Sequence, residues 1–373
     1  MRGKIFFFGS DDGKLYSIDI NGGKQNWEFK TSGAINSSPA MNGKTVYFGS
    51  YDGFFYALDV NDGSLKWSFK TDGEKKFSAP GIHGRQPKDS IFQDDWDFFL
   101  SSPAIEGYII YFGTGSGYFY ALDKITGKEI WKFKTNGVIH ASPAIAFGIV
   151  YIGSWDTYMY ALNAKTGAEV WKFKTGVDTA IYNQTGMQGS PVIDDSTLYF
   201  GCRDSHLYSL NALTGKLNWS KFNDYAWVSS CPVISNDKII YTTGDTRSLV
   251  ALNKYNGDSI YVFNSKGWIM SSPSIADDKI YYGDLNGFVY SNDMNTGRLI
   301  WTVQTDGSKA DSYKILNKDS TLNFTVFSKE KKQKEDKTSM QMLYNLGSVH
   351  SSPVIKNKTI YFGSTDGYFY AMQ

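Results

Sequence analysis

The sequence predicts an all-β fold, an eight-bladed β-propeller of four-stranded antiparallel blades, with a seven-bladed ring as the alternative. Three observations predict it. Residues 108–148 (YIIYFGTGSGYFYALDKITGKEIWKFKTNGVIHASPAIAFG) form a unit whose near copies fill almost the whole chain. Within that unit, short runs rich in Tyr, Phe, Ile and Val alternate with period two. Turn residues separate the runs, which is the signature of antiparallel strands. Lastly, chain length varies between copies at only one kind of connection.

Each copy reads as an inner strand (HASPAIA), a second strand (IVYIG), a third strand (YFYALD) and an outer strand (IWKFKT). The outer strand carries Trp27, Trp67, Trp131, Trp171, Trp219 or Trp301, with Tyr261 in the remaining slot. Four residues earlier stands a glycine (Gly23, Gly63, Gly127, Gly167, Gly215, Gly257, Gly297), expected to take positive φ in the turn. Ten residues earlier stands a small residue (Ser17, Ala57, Ala121, Ala161, Ser209, Ala251, Ser291) that leaves room for a neighbour's ring. A buried indole removes roughly 150–250 Å² from water, worth up to about 4–6 kcal/mol. One four-stranded sheet cannot cover its own faces, whereas sheets stacked in a ring can. Counting second strands gives eight, the last at residues 359–363.

From the inner-strand prolines (Pro39, Pro103, Pro143, Pro191, Pro232, Pro273) to the next Trp or Tyr is 28 residues, once 29. From that ring to the following proline the spacing ranges from 12 to 52. The insertions 72–99, 177–187 and 306–347 therefore share one kind of connection, and a single propeller domain over 1–373 would carry them on one face. Loop variation confined to one face of a rigid scaffold points to binding there.

A formal net charge of +1 gives no electrostatic case for nucleic acid or an anionic membrane. No apolar run is long enough for a spanning helix. Met1 leads straight into the strand KIFFFG with no signal peptide, and the chain begins without an inner strand and ends without an outer one. A trimmed chain is expected, and a monomer. Cys202 and Cys231 lack metal-ligand spacing and are expected as separate buried thiols.

The turn acids Asp12, Asp52 and Asp366 read as hairpin chemistry. The insertion 72–99 holds Asp94, Asp95, Trp96 and Asp97, expected as a solvated loop with one anchoring aromatic; a Ca²⁺ site on the three carboxylates is the alternative. The insertion 177–187 offers Tyr182 and Asn183. His206 reads as a packed or surface residue. Repeat six, with Thr243 for the usual glycine and Tyr261 for Trp, is expected to be the loosest blade. Residues 313–316 and 321–327 are expected to pair as a hairpin, and the charge run 329–337 to be solvated and mobile. A worn extra repeat, with Gln341 at the Trp position, is the alternative. Three residues before each proline lies a ring of Asn36, Leu100, His140, Gln188, Ser229, Met270 and His350, expected at the channel mouth. His140 and His350 are expected opposite each other, too far apart to share a metal, each able to orient a ligand.

The pattern SSPAI followed by YFG-x-x-x-G-x-x-YALD-x-x-TG-x-x-x-W-x-F-x-T, clearest at 121–131, resembles the repeat of pyrroloquinoline quinone (PQQ) enzymes and covers nearly the whole chain. The resemblance implies eight blades. The Trp-Asp repeat family is a poorer match, because Trp96-Asp97 and Trp155-Asp156 lie in loops. One branch of the PQQ-repeat family binds PQQ and Ca²⁺ and oxidises alcohols or sugars, with a pair of adjacent cysteines that this chain lacks. The other branch, which includes the propeller lipoprotein of outer-membrane β-barrel assembly and related cell-surface proteins, is a binding scaffold. The expected function is a non-catalytic scaffold of cell-surface or periplasmic location, with no cofactor firmly implied. It would hold a protein or peptide through Trp96, Tyr225, Trp227 and Trp268. A PQQ-binding dehydrogenase is the alternative. No Ser/His/Asp arrangement supports a hydrolase.

Overall fold

The structure, a computed structural model, describes residues 5–326 and 337–373. It is an all-β, eight-bladed β-propeller of antiparallel meanders. Among the described residues, six sheets have four strands in sequential order, and the first and last have three. Blade one is Ile5–Gly9, Lys14–Asp19 and Gln25–Lys30; blade two runs from Ala40–Asn42 to Leu65–Lys70. Blade three runs from Ala104–Glu106 to Glu129–Lys134 and blade four from Ala144–Ala146 to Glu169–Lys174. Blade five spans Val192–Asp194 to Leu217–Phe222, blade six Val233–Ser235 to Ser259–Asn264, and blade seven Ser274–Ala276 to Leu299–Gln304. Blade eight is Val354–Lys356, Thr359–Gly363 and Phe369–Met372. The chain divides into two compact units, residues 1–198 with 211–216, and residues 199–210 with 217–373.

In the first unit the repeat residues do what their spacing suggests, with one addition. The small residue of each third strand faces the ring of the outer strand: Ala57 pairs with Trp67, Ala121 with Trp131 and Ala161 with Trp171, and the register slips directly after it. Each indole then reaches the next blade. Trp67 Nε1 donates to Lys124 O (3.3 Å), Trp131 to Ala164 O (3.0 Å) and Trp171 to Ala212 O (2.9 Å). The ring lies on the turn glycine there: a Cβ added to Gly127, Gly167 or Gly215 would stand 2.6–2.7 Å from it. The glycine is thus required twice, for its positive φ and for the indole above it. Gly23 has the same backbone (φ +67) but nothing within 4 Å of its Cβ position.

The second unit repeats this logic. Trp219 donates to Lys254 O (3.1 Å) over Gly257. Tyr261 keeps the role of the Trp it replaces, its hydroxyl donating to Met294 O (2.8 Å) and its ring resting on Gly297.

The inner strands are shorter than the pattern suggests, three residues each, as in Ala144–Ala146. The Ser-Ser-Pro that precedes them has separate work. Its first serine serves its own blade: Ser37 Oγ donates to Gly49 O and accepts from Gly49 N, both at 3.1 Å. Its second serine links blades. In the first unit Ser38 N donates to Ser102 Oγ, Ser102 N to Ser142 Oγ and Ser142 N to Ser190 Oγ, at 2.8–2.9 Å. In the second, Cys231 N donates to Ser272 Oγ (2.8 Å) and Ser272 N to Ser352 Oγ (3.1 Å).

The insertion 306–347 corrects the expected hairpin. It holds helix α1 (Asp306–Ile315) and helix α2 (Lys337–Asn345), and the only β-pairing within its described residues is the single bridge of Leu316 with Leu322. Local chemistry explains α1: the side chain of Thr305 caps it by accepting from Ser308 N, and Lys309–Asp306 and Lys314–Asp311 pair along its surface. Gln341 lies in α2, so no worn strand stands there. Phe327 and positions 329–336 of the charge run lie outside the described residues. Cys202 and Cys231 remain thiols, and burial pushes Cys231 up to about 11.

Candidate binding face

In the first unit the insertion 72–99 is a folded element and not a solvated loop. A two-stranded hairpin, Ser78–Pro80 with Ile91–Gln93, forms its arm. Its base closes through Asp97, whose Oδ2 accepts from Phe77 N (2.6 Å), while Asp94 N donates to Phe77 O (2.8 Å). From this base, residues 96–98 cover three ring positions. Asn36 Nδ2 donates to Phe98 O (2.8 Å), Gln188 Nε2 donates to Trp96 O (2.8 Å), and His140 Nδ1 lies 2.6 Å from Asp97 Oδ1. Leu100, the fourth, is buried.

His140 is the electrostatic centre of this cover. It is 1% exposed, with Glu74 3.5 Å from its Nε2 and Asp97 on Nδ1. Burial alone would lower its pKa, but the two carboxylates overcome that and raise it to about 10. Burial raises Glu74, which accepts from Gly115 N at 2.6 Å. His140 therefore sits as an imidazolium between two acids, an arrangement that pins the insertion to blades three and four.

The two insertions of this unit meet. His83 N donates to Ile181 O (2.7 Å), and the His83 ring spans Asn183 Oδ1 (2.8 Å) and Asp94 Oδ1 (3.0 Å). Beneath them lies Trp155, 1% exposed, stacked on Phe77 at 4.6 Å and close under Gly186, where a Cβ would stand 2.6 Å from its ring. Trp96 itself is half-buried and Tyr182 takes a left-handed conformation.

The carboxylates offered for Ca²⁺ do not converge. Asp94 faces His83, Asp95 pairs with Arg85 and Asp97 with His140. No group of three His, Cys, Asp or Glu side chains that could hold a metal occurs among the described residues. The donor set does not fit the Ca²⁺ that accompanies PQQ in the dehydrogenase branch.

In the second unit the loop after blade five displays Tyr225. Asp224 and Tyr225 are consecutive left-handed residues (φ 48 and 62), and Tyr225 stands 70% exposed, edge-on to Phe222 at 5.0 Å. The loop is fixed from below. Asn223 Nδ2 donates to Ser205 O (3.2 Å), and Tyr241 Oη donates to Asn223 Oδ1 (2.6 Å). Trp227 is buried, its ring 3.5 Å from the guanidinium of Arg203, so it packs the loop from within. Half-buried Trp268 meets the exposed Phe324 at 6.2 Å. Of the ring positions here, Ser229 Oγ lies 3.6 Å from Met270 Sδ, and His350 packs edge-on against Tyr344 at 5.6 Å. Burial lowers His350 to about 4, so it is neutral at pH 7. His206 packs against Phe222 and Tyr208, as a structural residue does.

Glu74, Phe77, His83, Trp155 and Arg203 escaped the sequence reading. One signal could have found the last two. The position two residues after the second strand reads Asp11, Tyr51, Gly115, Trp155, Arg203, Gly244, Leu285 and Thr365. It is where otherwise faithful copies disagree, and in blades four and five it packs the variable loops.

A family model described as outer membrane protein assembly factor BamB matches residues 1–95, 88–226 and 224–373. No curated protein matches the chain. Among solved structures, BamB from Moraxella catarrhalis aligns with a TM-score of 0.69 at 19% identity, over 100% of this chain and 92% of that one. The computationally designed Ika8 protein aligns at 0.68 and 13% identity, over 100% and 93%. A europium-containing methanol dehydrogenase aligns at 0.69 and 12%, over 99% and 80%. At these identities the solved structures speak for the fold alone.

Proposed function

Because the chain belongs to the family of the outer membrane protein assembly factor BamB, we propose that it is a non-catalytic scaffold that holds a protein or peptide partner on its variable loops, on the periplasmic or cell-surface side. The observation that carries this reading is Tyr225. An aromatic side chain is held 70% in water by two left-handed residues on a loop packed from beneath by Trp227 and Arg203. A large apolar ring presented on a braced loop is the form that interface anchors take. Rigidity lowers the ordering cost of binding. The insertions 72–99 and 177–187 support the same reading, since their hydrogen bonds and the Trp155 stack make them built surface. The PQQ alternative would need a converging calcium donor set, and Asp94, Asp95 and Asp97 each pair with a different base.

A photo-crosslinking residue at position 225, introduced into the protein in its own cell envelope, tests this. A discrete adduct is expected there and not at Tyr108, which is also exposed (58%) but lies in an inner-to-second-strand turn. Equal labelling at both positions, or none at 225, would overturn the reading.

A further inference from the structure

Blade six carries an outer strand, Ser259–Asn264, unlike those of the first unit. Its rings point at the next blade: Tyr261 rests on Gly297, and Phe263 lies edge-on to Tyr290 at 6.4 Å. Ile260, Val262 and Asn264 alternate with them and face the other way. Ser265 N donates to Arg247 O, and Val262 and Asn264 sit at the intervening positions of the same antiparallel pair. Their backbone N–H and C=O groups therefore turn away from the third strand, along the edge of the sheet. Among the described residues no strand pairs on that side.

The matching positions of the first unit are charged. Blade three has Lys132 and Lys134 there, blade four has Lys172 and Lys174, and blades one and two carry two charges each. Charges, Lys above all, are how native sheets keep other strands off an edge. Blades five, six and seven have no charge at these positions. Two of the three are covered by other means. In blade five Tyr225 stands edge-on over Phe222 at 5.0 Å. In blade seven the chain turns directly into α1, where Gln304 Nε2 donates to Ser308 Oγ (3.2 Å). In blade six no such cover is seen among the described residues, and Ile260 and Val262 stand 42% and 56% exposed. Tyr261 keeps the inward role of Trp, so the strand is intact; what departs from the first unit is its outward side.

We propose that the outer edge of blade six is an acceptor for an extended, uncharged segment of a separate polypeptide, whose alternate β-branched side chains lie beside Ile260 and Val262. Water can satisfy the outward backbone groups but gives nothing to the two apolar side chains, whereas an added strand satisfies both. Backbone pairing supplies affinity, and the absence of charge selects the segment. The site is the rim of the sheet and not the Tyr225 loop, so either proposal stands without the other.

The probe is a synthetic peptide, Lys-Thr-Val-Thr-Val-Thr-Lys. Saturable binding to the full chain at one site is expected, with new protection from hydrogen exchange at residues 260–264. The same peptide N-methylated at alternate residues keeps its side chains but cannot pair, and should bind at least about tenfold more weakly. Val262→Lys restores the charge of the first unit at an exposed position, and should abolish binding while leaving the circular dichroism unchanged. Lys172→Val with Lys174→Asn strips the charge from blade four, and should add a second site. No binding by about 500 µM, equal binding of the methylated peptide, binding that survives Val262→Lys, or no second site in the blade-four variant would each overturn the proposal. So would self-association of the chain that Val262→Lys removes, which would make this edge an interface between copies.

Discussion

His140 and His350 occupy the same point of the repeat, three residues before a proline, and they hold their protons in opposite ways. Around His140 the insertion 72–99 places Glu74 and Asp97, and the imidazole is raised to about 10. His350 packs edge-on against the ring of Tyr344, and burial lowers it to about 4. The repeat sets where each histidine stands; the inserted segment sets its charge. A copied scaffold can therefore carry different electrostatics at equivalent positions without altering a strand.

The strongest way to break this contrast is His140→Ala. It leaves Asp97 and Glu74 buried beside each other without a cation, a loss of about 3–5 kcal/mol. Urea unfolding should report it, together with faster proteolysis within 72–99. A loss below about 1 kcal/mol would mean the cation is dispensable. Asp97→Asn is next, at about 2–3 kcal/mol, and should move the His140 titration down from about 10, visible by proton NMR.

The pH dependence of stability separates the two histidines. The folded pKa of His140 lies above the unfolded value, so its contribution is full below pH 6.5 and is lost as pH rises through about 10. The folded pKa of His350 lies below it, so its contribution is present above pH 6.5 and is lost as pH falls towards 4. His350→Gln should flatten the acid limb only, and an unchanged acid limb would refute the assignment. The smallest effect is expected from Arg85→Ala. It breaks the partly exposed pair with Asp95 and should cost at most about 1 kcal/mol by thermal unfolding. A larger loss would place Asp95 with Asp97 as a structural acid.

Much of the fold was legible because the repeat states it many times. Blade count, strand order, the Trp, the small residue opposite it and the turn glycine all recur, so each copy corroborates the rest. Chemistry that needs a neighbour was harder to read. That each indole lies on the next blade's glycine, or that Ser102 and Ser142 tie successive blades, appears only when two copies are placed side by side. The segments without a counterpart were read worst. Residues 306–315 form a helix because Thr305 caps it and its charges pair three apart, signals outweighed by the β-rich pattern elsewhere. The candidate site was half legible. Periodicity located His140 and Gln188, but their partners Glu74, Asp97 and the Trp96 carbonyl lie in an insertion with no second copy to compare.

The indole that leaves one sheet to rest on the following turn has an evolutionary corollary. A lone sheet is not a self-sufficient module, since its largest apolar group is sheltered by the neighbour downstream. Gene duplication can thus lengthen such an array only by copying the tenant together with its landlord, and a circular permutation that opens the chain between two copies leaves every such tenancy intact. Loss of a single internal copy would instead leave its upstream Trp facing a turn moulded by a different lineage of substitutions. Drift in that turn, more than drift in the strands, would then limit how far the number of blades can change.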